Sequence, residues 1–74
     1  MQKVTLGQLL YARRVELGFT QQYVADLAGI TRRLLSEWEA GRSNPGFEQL
    51  NRVLTVLGLQ LAITKRTIDE NKIR

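Results

Sequence analysis

Apolar residues recur along most of this chain at the three-and-four spacing of a helix, and near its end the rhythm changes to every second position. Thr5 to Leu17 carries Leu6, Leu9, Leu10 and Leu17 on or near one face, and Gly18 closes the run. Thr20 is a favourable N-cap for a second helix that opens with Gln21 and Gln22 and has Val24, Ala25 and Ala28 as its apolar stripe. Gly29 falls where the chain must turn sharply. Thr31 caps a third helix running to Gly41. Arg42-Ser43-Asn44-Pro45-Gly46 is a loop by composition, and Pro45 disfavours helix at Asn44. Phe47, Leu50, Val53, Leu54 and Leu57 outline a fourth helix, with Gly58 as its stop. Beyond it, Leu59, Leu61 and Ile63 alternate with Gln60, Ala62 and Thr64, the period of a β-strand. The alternative is a longer fourth helix or a short fifth one, against which Gly58 and the β-branched Ile63 and Thr64 argue. A lone strand leaves its backbone donors and acceptors unpaired. The pattern therefore predicts pairing with the same strand of a second copy.

Two short helices joined through Gly29, with the small Ala25 permitting a close crossing, have the layout of a DNA-binding helix-turn-helix. On a wheel of about 100° per residue, Leu34, Leu35 and Trp38 group on one side of the third helix. Trp38 reads as a core residue on that side. Arg32, Arg33, Ser36 and Glu37 group on the other, as candidates to face the major groove, which is wide enough to admit a helix. Arg32 and Arg33 stand at the N-terminal end, where this motif contacts base edges, and arginine can bond guanine O6 and N7 together. One is expected to read a base and the other to make a phosphate or mixed contact. Glu37 could accept from cytosine N4 or restrain Arg33 through an i,i+4 pair. Ser36 is placed to touch a base or a phosphate. Gln22 and Arg42 are candidate phosphate contacts on either side of this face.

The order of small residue, turn glycine, apolar residue, N-cap, polar helix and Trp38-Glu39-x-Gly41 resembles the lambda-repressor-like helix-turn-helix family, also called the XRE family. The resemblance extends upstream through Leu6-Gly7, Leu10, Arg14, Gly18, Phe19, Thr20 and Gln21, and downstream through Asn44-Pro45 to the Phe47–Leu57 helix, covering roughly residues 5–58. It implies that Gln21 occupies the position whose side chain and backbone hold a phosphate. Free N–H groups at a helix N-terminus attract anions in the same way. It also implies that Arg14 and Glu39 form an ion pair linking the first helix to the recognition helix. A chain that stops after four helices and appends LGLQLAITKR is similar to the HipB-like antitoxins, whose strands pair across a homodimer. That second resemblance implies autorepression of an operon and a HipA-like kinase toxin as partner.

Composition narrows the classes further. Seventy-four residues make one domain, and a chain this small buries only about 60% of its unfolded surface, so a partner often helps its core. Eleven Lys and Arg against seven Asp and Glu leave a net charge of +4, which favours an anionic partner. With no cysteine and no histidine, disulfides, the commonest metal ligands and the commonest general base are excluded. No carboxylate cluster or phosphate-binding glycine loop suggests an enzyme, and no cofactor or metal is implied. No signal peptide or transmembrane run is visible, so a cytoplasmic, bacterial protein without a membrane role is expected. The expected architecture is a mostly α, lambda-repressor-like bundle of four helices with one C-terminal β-strand that pairs across a homodimer. Residues 1–58 form the DNA-binding domain and 59–64 the dimerising strand, through Leu59, Leu61 and Ile63. Residues 65–74 form a charged tail in which Ile68 and Ile73 are candidate anchors for a partner. The expected function is a repressor acting as a homodimer on a palindromic double-stranded DNA operator, as a HipBA-like antitoxin that regulates its own operon. The alternative is a stand-alone phage-type or restriction-modification controller without a toxin.

Overall fold

A computed structural model of the chain describes residues 5–65 and Thr67. It contains four helices: α1 (Leu6–Leu17), α2 (Gln21–Ala28), α3 (Arg32–Glu39) and α4 (Phe47–Val56). Three begin at a threonine. The hydroxyls of Thr5, Thr20 and Thr31 accept from the N–H groups of Gln8, Tyr23 and Leu34 at 3.2, 3.0 and 3.0 Å. Each such cap is worth about 1 kcal/mol. At α1 the Gln8 side chain returns the contact to Thr5 N at 2.8 Å, closing a capping box. The fourth helix starts at Gly46 with no side-chain cap.

All four helices end alike. A glycine with positive φ follows (Gly18, Gly29, Gly41 and Gly58, between 68° and 75°). The next residue's N–H then reaches back to the carbonyl five positions earlier: Phe19 to Arg14, Ile30 to Ala25, Arg42 to Glu37 and Leu59 to Leu54, at 2.8–3.1 Å. This Schellman arrangement satisfies carbonyls that helix ends otherwise leave open. Three of the four residues after the glycine, Phe19, Ile30 and Leu59, pack on the core. The fourth, Arg42, is exposed. The third helix stops at Glu39, short of the Gly41 expected from sequence, because Ala40 and Gly41 are already part of this turn.

The core is built from Leu10, Val24, Ala25, Ala28, Leu35, Trp38, Leu50, Val53, Leu54 and Leu57. Helix α2 packs against both α3 and α4, and α1 packs against α3. The last contact is close at Gly7, where a Cβ would collide with the carbonyl oxygens of Trp38 and Glu39. Two arginines close helix ends on neighbouring elements. Arg13 Nε donates to Leu57 O at 2.9 Å and Arg52 Nε to Ala28 O at 2.8 Å. Each places a cation where the helix dipole is negative.

Helix α1 turns Gly7, Leu10, Arg14 and Leu17 toward the bundle, a narrower stripe than the leucine pattern predicts. Leu6 and Leu9 are 37% and 51% exposed. They border an apolar groove shared with Leu54, Leu59 and Leu61. Residues 59–65 carry no regular secondary structure, neither the strand expected at 59–64 nor a fifth helix. A strand requires a ladder to a second strand, and the described residues of one chain supply none. Leu59 packs back on its own core, Leu61 is half exposed and Ile63 is fully exposed. Ile68 and Ile73 lie outside the described residues.

Candidate nucleic-acid interface

The N-cap at Thr31 starts α3 with two arginines and no acid in its first turn. Leu35 and Trp38 are buried and Leu34 is half-buried, which fixes the rotation of the helix. Arg32, Arg33 and Ser36 consequently face solvent, with Glu37 partly covered beside them. The two sides of α3 are thus cleanly divided. Arg32, Arg33, Ser36 and Glu37 line an open hollow of about 510 Å³ together with Gln22 and Arg42. Among the described residues none of Arg32, Arg33 and Arg42 donates a side-chain hydrogen bond. The i,i+4 ion pair between Arg33 and Glu37 is not among the two formed by the described residues, Arg13–Glu16 and Arg14–Glu39.

A second hollow adjoins the first, sharing Gln22 and Arg32, and is completed by Arg14, Thr20 and Gln21. It lies at the N-terminus of α2. There Thr20 satisfies the N–H of Tyr23 through its hydroxyl and that of Val24 through its carbonyl. The N–H groups of Gln21 and Gln22 have no backbone or capping partner among the described residues. Two free N–H groups, the positive end of a helix dipole and a nearby guanidinium make this a suitable seat for one phosphate.

Behind this seat Arg14 and Glu39 meet. Arg14 Nε and Nη2 donate to the two carboxylate oxygens of Glu39 at 2.7 and 3.0 Å. The side chains are 12% and 5% exposed. A bidentate pair of this kind is both directional and stronger than a neutral hydrogen bond. Arg14 Nη1 also donates to Phe19 O at 2.8 Å, and the Tyr11 ring lies 5.4 Å from the guanidinium carbon. The hydrogen bond to Glu39 raises the Arg14 pKa above its ordinary value, against burial, which acts in the opposite sense. Glu39 accepts a third bond, from Gln21 Nε2 at 3.1 Å. A carboxylate can only accept, so it holds the amide with its NH₂ inward and leaves the second N–H available. Asp26 holds Gln22 Nε2 in the same way at 2.7 Å.

The structure therefore brings Gln21, Gln22, Arg32, Arg33, Ser36, Glu37 and Arg42 onto one continuous surface, with Arg14 and Glu39 directly beneath it. Leu59 and Leu61 instead line the apolar groove beside α1, and Ile63 is fully exposed. Sequence reading placed Gln21 as a phosphate contact but missed its bond to Glu39, and it missed that Arg14 lines the anion seat. The first depends on how α2 meets the end of α3, the second on how α1 packs. The glycine at position 7 inside a helical run was the available sign of a close approach.

A sequence profile of the helix-turn-helix family, HTH_3, matches residues 10–63, which span all of α2, α3 and α4 and most of α1. The chain belongs to the helix-turn-helix family. A SPbeta prophage-derived helix-turn-helix transcriptional regulator of Bacillus subtilis, YonR, is 34% identical over 53 residues, 72% of this chain and 49% of that protein. This helix-turn-helix chain thus spans about half the length of that relative. Among solved structures, SinR, a master regulator for biofilm formation, in complex with DNA superposes with a TM-score of 0.72 at 30% identity, covering 76% of this chain and 90% of that one. A chain of a HipA–HipB–O2–O3 complex superposes with a TM-score of 0.74, covering 90% of this chain and 100% of that one. At 22% identity, that likeness concerns the fold. No helix among the described residues is long and apolar enough to cross a membrane.

Proposed function

We propose that this helix-turn-helix chain is a cytoplasmic, sequence-specific DNA-binding repressor that lays α3 in the major groove of its operator. The division of α3 carries the reading. Its apolar side chains are used up in the core, and its arginines are left exposed and without hydrogen-bond or ion-pair partners among the described residues. Arg32 and Arg33 read base edges, with Ser36 and Glu37 beside them. Gln21, Gln22, the free N–H groups of α2 and Arg42 hold phosphates on either side. The Arg14–Glu39 pair sets the spacing between these two parts by tying α1 and Gln21 to α3. The repressor acts as a homodimer on a palindrome, since two-fold symmetry doubles the contacts of a small domain. Residues 59–64 pair antiparallel with the same segment of the second copy, placing Leu61 and Ile63 in the contact. The exposure of both side chains and the apolar groove that Leu61 lines support this.

The biological setting that best fits four helices plus an appended pairing segment is a HipBA-like antitoxin, which represses its own operon and binds a HipA-like kinase toxin. A stand-alone phage-type controller is the second reading, supported by likeness to a prophage-derived regulator. Fluorescence anisotropy with the chain's own promoter DNA tests the first claim. A specific complex should form with a Kd of about 10⁻⁸–10⁻¹¹ M at physiological salt, at least about 10³-fold tighter than with random duplex. Equal affinity for both duplexes would refute it. Copurification with the product of the adjacent gene separates the two settings: a stable complex supports the antitoxin, and its absence leaves the stand-alone controller.

A further inference from the structure

We propose that Trp38 Nε1 and Ser43 Oγ hold a buried water molecule, and that this water pins the loop after α3 so that Arg42 is turned outward. Trp38 is 2% exposed, and its indole Nε1 is shielded from solvent with no acceptor among the described residues. The hydroxyl of Ser43 is equally shielded and equally without a partner. Buried side-chain donors are seldom left unpaired, and two on neighbouring elements point to a common ligand. Both residues line one cavity of about 210 Å³, walled on one side by Thr5 and Gly7 of the α1 start and on the other by Gly41 and Asn44.

The chemistry of the lining selects the ligand. Indole N–H donates only and cannot ligate a metal ion. The carbonyl ends of Trp38 and Glu39 face this side of α1 at Gly7, so the negative end of the α3 dipole disfavours an anion. Water accepts from the indole and exchanges either kind of hydrogen bond with the hydroxyl. Its share of liquid volume is about 30 Å³, well within the cavity. Ser43 and Arg42 are adjacent but line different hollows, Ser43 this cavity and Arg42 the one bordered by Arg33 and Ser36. Fastening Ser43 inward therefore orients Arg42 outward.

Trp38 is the only tryptophan, so the folded protein gives one indole N–H signal. In a ¹⁵N-labelled sample, water-selective NOE and ROE spectra should show a cross-peak from a long-lived water to that proton. In Ser43→Ala the peak should vanish or weaken strongly. Absence of the peak in the wild type, or its full survival in Ser43→Ala, would overturn the bridge. So would a direct Ser43 hydroxyl contact to the indole in place of the water peak. The effect on Arg42 rests on the DNA-binding reading. Ser43→Ala should weaken DNA binding about two- to tenfold, the worth of one hydrogen bond, with base preference unchanged. Loss of the water peak with undiminished affinity would overturn the pinning. A wild type that binds no DNA would instead refute the proposed function and leave the water result standing.

Discussion

Gly7→Ala sets two effects of opposite sign against each other. Near the start of an exposed helix the change would stabilise, by up to about 1 kcal/mol, because alanine is the better helix former. Here the added methyl would overlap the carbonyl oxygen of Trp38 and sit 3.0 Å from that of Glu39. Both are backbone atoms at the end of α3 and cannot rotate aside, so α1 must lift. Overpacking of this kind costs about 1–3 kcal/mol. The same movement stretches the Arg14–Glu39 bonds, now 2.7 and 3.0 Å, because they join the same two helices. Charged hydrogen bonds contribute about 1.5–3 kcal/mol each, so partial loss of two adds a comparable penalty. The expected net effect is destabilisation by about 3 kcal/mol, a fall in Tm of roughly 12–24 °C for a domain of this size. Thermal denaturation followed by circular dichroism reads it directly. Ala12→Gly, at an exposed position of the same helix, serves as the measure of propensity alone. A Tm for Gly7→Ala equal to or above the wild type would show that α1 does not depend on this approach.

Arg14→Met and Glu39→Gln should each destabilise by about 3–5 kcal/mol in urea titrations, since either change strands a buried charge; the double variant should lose much less than the sum. In the wild type the Arg14 contribution should be flat around neutral pH: a cation with a raised pKa stabilises fully below its ordinary value, and the effect fades only as pH climbs through the raised one. Arg32→Ala or Arg33→Ala should cost about 1–3 kcal/mol on the operator and relax preference at one base pair, whereas Arg42→Ala should weaken all duplexes alike and reduce the salt slope by about one; unchanged discrimination in both recognition-helix variants in a competition assay would dismiss α3 as the reader. The full chain should sediment as a dimer and a chain ending at Gly58 as a monomer, and a dimer that persists in the shortened chain would rule out pairing through 59–64.

The parts of this fold that were legible in sequence are those decided by near neighbours. Thr20 and Thr31 cap because the hydroxyl needs only the N–H three positions on, and Thr5, expected as the first residue of α1, caps it through the same contact. Gly18, Gly29 and Gly58 stop helices because a single residue must enter the left-handed region. The inward side of α3 follows from periodicity, since Leu35 and Trp38 share a face whatever lies opposite. What escaped depends on which element covers which. Leu6 and Leu9 stand on the flank of α1, and their burial requires a neighbour that the described residues of one chain do not provide. Arg13 closing α4, Arg52 closing α2 and Gln21 bonding Glu39 are separated by 44, 24 and 18 positions and have no local signature. The Arg14–Glu39 contact, 25 positions apart, was reachable only through family resemblance. The period-two segment from Leu59 specifies which side chains can share a face but carries no information about the strand it would meet.

The split of α3 into an inward and an outward half bears on how such a protein changes over generations. Arg32, Arg33 and Ser36 are exposed, and none takes part in the core. Substitutions at positions of this kind usually shift stability by no more than about 0.5 kcal/mol. The core beneath them is marginal in so small a domain and tolerates little. Under the proposed reading, the two halves therefore drift under different rules. The inward half is held by folding, while the outward half is free to explore new operators without passing through unfolded intermediates. A gene duplicate could acquire a new DNA address through a handful of surface replacements and keep the same scaffold to carry it.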